Sequence, residues 1–282
     1  MKTGVLAHLF GCLPHRELAR QIGAAGYNHV QLAVWKAISD VDSSAPGQLT
    51  AEAAQSVRDA FAAENVQVAI LGCYLHMFDR NEEQRKVNIA RFKELLRFAP
   101  DFGCGIVAFE TGVNPGQDYT DADWSVMRST LAELAEEAGR YGVKVGLEAA
   151  DRHLVGNAQQ LDQMLREVGS PHIGVVLDPG NLMNETNFNN QDEVIDEAFR
   201  LLGSRIIACH AKDRLWSDNG QLLATPAGFG QMNYDRYAKH LVDLGLDVPI
   251  IMEEAAISQM EQTRSFIEGK IRQAAEAQQS QV

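Results

Sequence analysis

Four apolar runs in the chain each end on a side chain of a type that binds metal ions in proteins. The runs are VKVGLE, IGVVLD, RIIACH and VPIIME, and their last residues are Glu148, Asp178, His210 and Glu253. A polar residue at one strand end is explained equally well by water at a loop, but four in succession favour a shared site. There a cation would offset the cost of burying carboxylates. Three carboxylates and one imidazole suit Mn²⁺ first, with Mg²⁺, Co²⁺ or Zn²⁺ as alternatives, rather than a closed structural zinc site.

The elements that would position these side chains follow from the hydrophobic pattern. Short apolar runs alternate with longer amphipathic stretches, which is typical of strand–helix units around a parallel sheet. Eight runs can be counted: VLAHLF (5–10), HVQLAV (29–34), VQVAIL (66–71), GIVAFE (105–110), VKVGLE (143–148), IGVVLD (173–178), RIIACH (205–210) and VPIIME (249–253, after Val248). Eight units predict the α/β class and a (β/α)₈ TIM barrel, whose active site lies at the C-terminal ends of the strands. A doubly wound open sheet is disfavoured because FGCLPHRE, and no GxGxxG turn, follows the first run.

Four helices are predicted most clearly between these runs. Their sequences are TAEAAQSVRDAFAAEN, NEEQRKVNIARFKELLRFAPDFG, TDADWSVMRSTLAELAEEAGRYG and YDRYAKHLVDLG. In the third, acidic residues occupy the first turn and Gly142 follows as a stop signal. No composition shift or linker divides the chain, so residues 1–282 are predicted to form one domain that ends in a frayed polar tail, from about 271 to 282.

Composition disfavours several classes of partner. The 282 residues carry 25 basic and 38 acidic side chains, a formal net charge of −13. That charge repels a phosphate backbone, so we expect a small-molecule substrate and no nucleic acid. The four cysteines are scattered without a CxxC pair, which predicts neither a disulfide framework nor a zinc ribbon. Because no apolar signal core and no run near the ~18 residues of a membrane span are present, we expect a cytoplasmic protein without a membrane partner.

The motifs around the four endings resemble one known superfamily, the xylose-isomerase-like TIM barrels. This superfamily contains sugar phosphate isomerases and epimerases, among them ketose 3-epimerases, inosose dehydratases, hydroxypyruvate isomerases and apurinic endonucleases. The resemblance covers nearly the whole chain, and its carriers are GLEAA, VVLDPGNL, ACHAKD and IIMEE, supported by AFETG (108–112) and GFGQMNYDRY (228–237). The pattern is specific for the superfamily and weak for the reaction.

The resemblance implies a mononuclear divalent metal held by all four residues, with a sugar bound to it through neighbouring oxygens. In ketose 3-epimerases two glutamates lie on opposite faces of the sugar, and by this resemblance Glu148 and Glu253 are the catalytic acid and base. The ion would stabilise the enediolate that forms when a proton leaves the carbon beside the carbonyl. Barrels of this family often pair, so a homo-oligomer is compatible with the sequence, which leaves the oligomeric state open.

Two positions depart from the family pattern. Asn181 stands three residues after Asp178, where the epimerases and apurinic endonucleases commonly have a histidine. An amide can bond a sugar hydroxyl but replaces an imidazole poorly on a second or third zinc ion, which disfavours an endonuclease. In the ketose epimerases an arginine follows the strand-seven histidine by several residues. The nearest candidate in this chain is Arg214, four residues after His210. Lys212 lies on the same side of an extended chain as His210 and could bind a hydroxyl, carboxylate or phosphate.

Three more residues are candidates for substrate binding. His153 lies in the loop after Glu148, Glu110 ends the fourth run, and His8 would point into the barrel if its neighbours at 6 and 10 do. Together with Asn181, Lys212 and Arg214 they make up the predicted sugar-binding set. For Lys212 the alternative is a solvated lysine at the start of a loop, for His153 an ordinary loop histidine, and for His8 a hydrogen-bonded core histidine.

These observations lead to four hypotheses about function. The leading one is a metal-dependent sugar isomerase or epimerase that works by enediolate proton transfer on a ketose or related sugar. The runner-up is a metal-dependent lyase, such as an inosose or keto-sugar dehydratase, because the same metal and base would expel a neighbouring hydroxyl. A DNA-repair hydrolase and a barrel that binds sugar without catalysis are the other two. Deuterium incorporation into a ketose in D₂O would separate the first hypothesis from the rest.

Overall fold

Eight parallel strands form a closed ring in the computed structural model, which describes residues 2–280, apart from the side chains of Lys2 and Gln117. The eight ring strands are β1 (Lys2–Leu6), β2 (His29–Leu32), β3 (Gln67–Gly72), β4 (Ile106–Glu110), β5 (Lys144–Glu148), β6 (Ile173–Leu177), β7 (Ile206–Trp216) and β9 (Pro249–Met252). A ninth strand, β8 (Leu222–Pro226), precedes β9 in chain order. Each ring strand pairs with its neighbours in parallel, and the β1–β9 and β6–β7 pairs complete the closure. β8 is outside the ring and pairs antiparallel with β7. The predicted single-domain TIM barrel is confirmed.

Helices surround the ring on its outside. They are α1 (His15–Ala24), α2 (Val34–Ala37), α3 (Ala51–Ala63), α4 (Glu82–Phe98), α5 (Asp121–Tyr141), α6 (Ala158–Val168), α7 (Gln191–Leu202), α8 (Tyr234–Asp243) and α9 (Met260–Gln279). The four helices predicted most clearly are present as α3, α4, α5 and α8. Each begins after a residue whose side chain accepts a hydrogen bond from the first turn: Thr50, Asn81, Thr120 and Asn233. Every described helix is too short or too polar to serve as a membrane span.

The inside of the ring is filled by side chains. Six buried apolar side chains from six different strands pack against one another there: Leu6, Ile70, Ala108, Val176, Ala208 and Ile251. Gly146 on β5 leaves room for this packing, since a Cβ at that position would lie 2.9 Å from Val176 Cγ2. The ring is therefore filled by side chains at this level, as is typical of barrels whose active site lies at the C-terminal strand ends.

Three predicted strand ends are wrong by two residues or more, and the first strand also begins three residues earlier than predicted, at Lys2. The first strand ends at Leu6, which is its last partner with β2, and residues 7–10 form a 3₁₀ turn that contains His8. The second ends at Leu32, before α2. The seventh does not close on His210, because residues 212–216 continue into the hairpin with β8. An aromatic or apolar residue after a ladder ends cannot be distinguished, in sequence, from one that is still paired.

The predicted frayed tail is helical as far as Gln279. α9 packs along α8, Lys270 Nζ lies 2.7 Å from Asp235 Oδ1, and Gln278 Nε2 donates to Asp243 Oδ1 at 3.5 Å. These contacts to a neighbouring helix extend the helical structure into a polar sequence. The last two residues of the predicted tail lie outside the described part of the chain.

Candidate metal and substrate site

Glu148, Asp178 and His210 meet at the C-terminal mouth of the ring. One ligand atom from each lies within 4.8 Å of those of the other two, and all three residues are buried. Glu148 is the last residue of β5, Asp178 directly follows β6, and His210 lies on β7 beside it. Asp178 Oδ1 accepts a hydrogen bond from the Gly180 backbone N–H at 2.8 Å, whereas its buried Oδ2 has no hydrogen-bond partner. That oxygen is free to face a ligand shared with the other two residues.

Gln31 determines how the His210 ring is placed. Gln31 Nε2 donates to the Tyr74 hydroxyl at 2.5 Å, so its Oε1 faces His210 and accepts from Nε2 at 2.7 Å. The other ring nitrogen, Nδ1, lies 3.1 Å from Glu148 Oε2 and 2.9 Å from Glu253 Oε1 without a hydrogen bond to either. A histidine whose Nε2 carries the proton presents a lone pair at Nδ1, the atom a metal ion would bind.

Glu253 is the fourth predicted ligand. One of its oxygens lies next to His210 and the other next to Lys212. Its Oε2 lies 2.6 Å from Lys212 Nζ, which is also 3.5 Å from Asp178 Oδ2. Burial by itself would raise the pKa of Glu253, but the charges of His210 and Lys212 hold it well below its usual value. For Asp178, burial dominates and raises the pKa to about 6. Three buried carboxylates thus share one small volume with a single ammonium group.

These residues fit a divalent cation. Two of their buried polar atoms, Asp178 Oδ2 and His210 Nδ1, have charged groups within 3.5 Å but no hydrogen-bond partner, which native interiors rarely tolerate. Burial lowers the pKa of His210, yet the negative field of Glu148 and Glu253 raises it well above the usual value. The field therefore calls for positive charge beside Nδ1, supplied by a proton or by a metal ion. Carboxylate oxygens with one imidazole suit a borderline-hard ion such as Mn²⁺, Mg²⁺ or Co²⁺.

A polar cavity of about 340 Å³ adjoins the cluster, and four of the predicted substrate-binding residues line it: Glu110, His153, Asn181 and Arg214. Asn181 Nδ2 donates to Glu148 Oε1 at 2.6 Å and to Glu110 Oε1 at 3.2 Å, so it connects the cluster to the cavity wall. Burial, and next the charge of Glu148, raise the pKa of Glu110 to about 8. Glu110 is thereby poised to donate as well as accept hydrogen bonds at neutral pH.

Two of these residues also have partners in the surrounding backbone. His153 Nδ1 accepts from the Gly112 N–H at 3.1 Å, so the proton is on Nε2, which lies 3.8 Å from Glu110 Oε2. Arg214 Nε donates to the Gly180 carbonyl at 2.7 Å and ties β7 to the turn after Asp178. Both side chains are thus oriented at the edge of the cavity.

His8 is not among the residues lining this cavity. It lies in the turn after β1, and its ring meets the Tyr74 ring edge-on with centroids 6.5 Å apart. Gln31 and Tyr74 are absent from the predicted site, although Gln31 is a polar residue inside the apolar run HVQLAV. A polar side chain that alternation directs inward is a usable signal, because burial of an amide requires partners.

The sequence matches the family model described as "Xylose isomerase-like TIM barrel" over residues 19–278. A curated relative, an uncharacterized protein of Methanocaldococcus jannaschii, is 26% identical over 182 residues, which cover 63% of this chain and 60% of that protein. The aligned part thus spans less than two thirds of the relative's length.

Solved structures share the fold over nearly the full chain. A D-tagatose 3-epimerase-like protein is 20% identical with a TM-score of 0.78, covering 98% of this chain and 99% of that one. An L-ribulose 3-epimerase is 15% identical with a TM-score of 0.77, covering 99% and 97%. A xylose isomerase-like TIM barrel protein from Mycobacterium smegmatis, in complex with magnesium, is 18% identical with a TM-score of 0.73, covering 92% and 89%. At these identities the likeness concerns the fold.

Proposed function

Because the chain belongs to the xylose isomerase-like TIM barrel family, we propose that it is a divalent-metal-dependent sugar isomerase or epimerase. Its reaction would be proton transfer at the carbon beside the carbonyl of a ketose or related sugar. The observation that carries the proposal is the buried cluster of Glu148, Asp178 and His210 next to a polar cavity. The similarity to a D-tagatose 3-epimerase-like protein and an L-ribulose 3-epimerase supports the substrate class.

The proposed metal ligands are Glu148, Asp178, His210 and Glu253, with Mn²⁺ as the ion. When bound, the ion supplies positive charge that stabilises the oxygen on which negative charge develops as the proton leaves carbon. Lys212 offsets part of the negative charge of this ligand set, since its Nζ lies 2.6 Å from Glu253 Oε2. The similar barrel that contains magnesium supports a divalent ion of this kind.

Glu148 and Glu253 are the proposed acid and base. Each has a nitrogen partner that fixes one oxygen: Asn181 donates to Glu148 Oε1, and Lys212 pairs with Glu253 Oε2. The partners orient the two carboxylates, and for Glu253, against the effect of burial, the charges of His210 and Lys212 also hold the pKa low, which keeps it ionised as proton abstraction requires. In an epimerisation one carboxylate removes the proton and the other returns one from the opposite face.

The sugar hydroxyls would be bound from the cavity wall. Glu110, His153, Asn181 and Arg214 offer both donors and acceptors there, and few apolar groups line the same space. Such a lining suits a polyhydroxyl ligand, whose hydroxyl groups each donate and accept.

Proton NMR in D₂O with a panel of ketoses and Mn²⁺-loaded protein tests the function. We expect deuterium to enter at the carbon beside the carbonyl, and Glu148→Gln to abolish this exchange while circular dichroism stays unchanged. Lys86→Gln, at an exposed lysine of α4 that pairs with Glu82 and Glu83, serves as the matched control and should exchange at the wild-type rate. Loss of water without recovery of sugar would instead support the dehydratase. Full exchange by Glu148→Gln would refute the assignment of the site.

A further inference from the structure

Lys36 has an unusual position for a cation in this acidic protein. Among the lysines whose side chains are described, it alone lacks an oxygen partner. The partnered ones pair with carboxylates or, for Lys144, with the Pro171 carbonyl. Lys36 Nζ instead lies over aromatic faces, 4.2 Å from the Tyr74 ring centroid and 5.2 Å from that of Trp35. These contacts hold the ammonium group in place without neutralising it.

Lys36 lies at the barrel mouth, on the wall formed by the ends of β1, β2 and β3. It belongs to α2, which directly follows β2, and Tyr74 follows β3. Gln31 connects this wall to the cluster of Glu148, Asp178 and His210. Its amide contacts the Tyr74 hydroxyl at 2.5 Å and His210 Nε2 at 2.7 Å. Burial and then Lys36 lower the pKa of His8 while Glu253 raises it, so His8 lies within the fields of both.

Two further polar groups beside Lys36 have hydrogen-bonding capacity that the described chain does not use. His8 Nδ1 is buried without a partner. The Tyr74 hydroxyl accepts from Gln31, so its own proton is left to donate. No carboxylate of the described chain pairs with Lys36, whereas the three carboxylates of the cluster would be balanced by a divalent ion together with Lys212. The positive charge of Lys36 is therefore not needed to balance the carboxylates of the cluster.

We propose that Lys36, His8 and the Tyr74 hydroxyl form an anion subsite that binds a carboxylate or phosphate group on the sugar, remote from its metal-bound oxygens. This inference rests on the proposed function and names its substrate class as an acidic sugar. An anion on this wall would meet one full positive charge and hydrogen-bonding groups, in a place already shielded by aromatic rings. A neutral ketose would leave the ammonium group uncompensated.

Calorimetry with Mn²⁺-loaded protein tests the subsite using D-fructose, D-fructose 6-phosphate and D-fructuronate. At least one anionic sugar is expected to bind about 10- to 100-fold more tightly than fructose, the effect of one charge-assisted hydrogen bond. Lys36→Met should remove this advantage, Lys36→Arg should retain most of it, and the surface control Lys86→Met should not change it. Comparison of the two anions identifies phosphate or carboxylate as the preferred group.

Several results would overturn the subsite. These are equal affinities for all three sugars, no measurable binding of either anion, or an anionic advantage that survives Lys36→Met because the anion binds the metal directly. Deuterium exchange measured on the same samples keeps the two proposals distinct. Binding that depends on Lys36 without exchange contradicts the isomerase alone, and exchange that is indifferent to charge and to Lys36 contradicts the subsite alone.

Discussion

Gln31 illustrates how one buried amide can control a candidate metal ligand. Its two ends have opposite hydrogen-bonding character, and the Tyr74 hydroxyl engages the NH₂ end. The carbonyl end then accepts from His210 Nε2, which leaves Nδ1 facing the carboxylates. Because Gln31 is 1% exposed, water cannot take over this role if the amide is removed.

We therefore expect Gln31→Leu to weaken Mn²⁺ binding by about 10- to 100-fold, as loss of a hydrogen bond to a ligating histidine does. Titration calorimetry of the metal-free protein measures the change, and Gln55→Leu on the surface of α3 is the control. Gln31→Glu, which retains an acceptor, should restore much of the affinity. Unchanged affinity in Gln31→Leu would show that packing alone orients His210.

The individual residues of the site differ in how readily the sequence predicts them. Glu148, Asp178 and Glu253 stand at or just after the last paired residue of a strand, so an apolar run followed by a carboxylate marked them. His210 was marked in the same way although its strand continues past it. Asn181 was predicted from the loop motif, but its bridging of Glu148 and Glu110 depends on two strands far apart in sequence. Lys36 carries no sequence signal, since its missing partner is a property of the folded surface.

At the level of elements, α7 and α8 are joined by an ionic contact on the outside of the barrel. Asp196 on α7 accepts from Arg236 Nε at 2.6 Å and from His240 Nε2 at 2.7 Å, both on α8. Hydrogen bonding by Arg236, opposed by burial and assisted by His240, lowers the pKa of Asp196 to about 2. A depressed carboxyl pKa stabilises the fold above its unfolded value of about 3.9, and this contribution is lost as the pH falls towards 2.

Asp196→Asn is expected to lower the free energy of unfolding by about 1 kcal/mol at pH 7, and by no more because the carboxylate is 40% exposed and screened by solvent. Urea unfolding at pH 7, 5 and 3 should show the difference from wild type narrowing at the lowest pH. Glu193→Gln, on the same helix and in no ion pair with the described residues, should match wild type throughout. A difference that is independent of pH would assign the effect of Asp196 to packing.

The elements that the sequence predicted best are those whose boundaries depend on hydrogen bonds between residues close in sequence. Thr50, Asn81, Thr120 and Asn233 each cap a helix through contacts within three residues, so the starts of these helices were readable. The β7–β8 hairpin also has a local signature, Asn219–Gly220 between RLW and LLA, but the eight-strand count leaves it out because LLATP is too short and mixed to stand out as an apolar run. Asp213 has no such signature: the Gly228, Gly230 and Met232 N–H groups that bond it belong to a distant loop.

For the whole molecule, the count of eight strand–helix units was sufficient to predict a barrel, and the registers that close it were not predictable. Closure places Gly4 against Ile251, a pairing that joins opposite ends of the chain, and Cys209 against Ile250, a pairing that passes over the β8 hairpin and α8. Closure also concentrates negative charge at the mouth, since it brings Glu148, Asp178 and Glu253 together inside a protein whose net charge is already −13. Stability and metal binding should therefore be coupled.

For Asp178 the direction of the coupling between stability and metal binding can be predicted. Burial raises its pKa to about 6, so its ionised form is disfavoured in the fold, and the resulting loss of stability is complete above about pH 6. Asp178→Asn keeps an oxygen that can accept from Gly180 and removes the charge. In metal-free protein at pH 7 we expect this variant to be more stable than wild type by about 1–2 kcal/mol.

Added Mn²⁺ should reverse that order. A ligand at 100 times its dissociation constant stabilises the fold that binds it by about 2.7 kcal/mol, and the unfolded chain has no assembled site. Thermal unfolding with EDTA and with Mn²⁺ should thus show a metal-dependent rise in wild type and almost none in Asp178→Asn. Asp192→Asn, at an exposed carboxylate of α7 that pairs with Arg236 and is not a proposed ligand, should retain the full rise. If metal stabilised neither protein, or both equally, the ion would not bind through Asp178, and the carboxylates would have to be balanced by Lys212 and a protonated His210 alone.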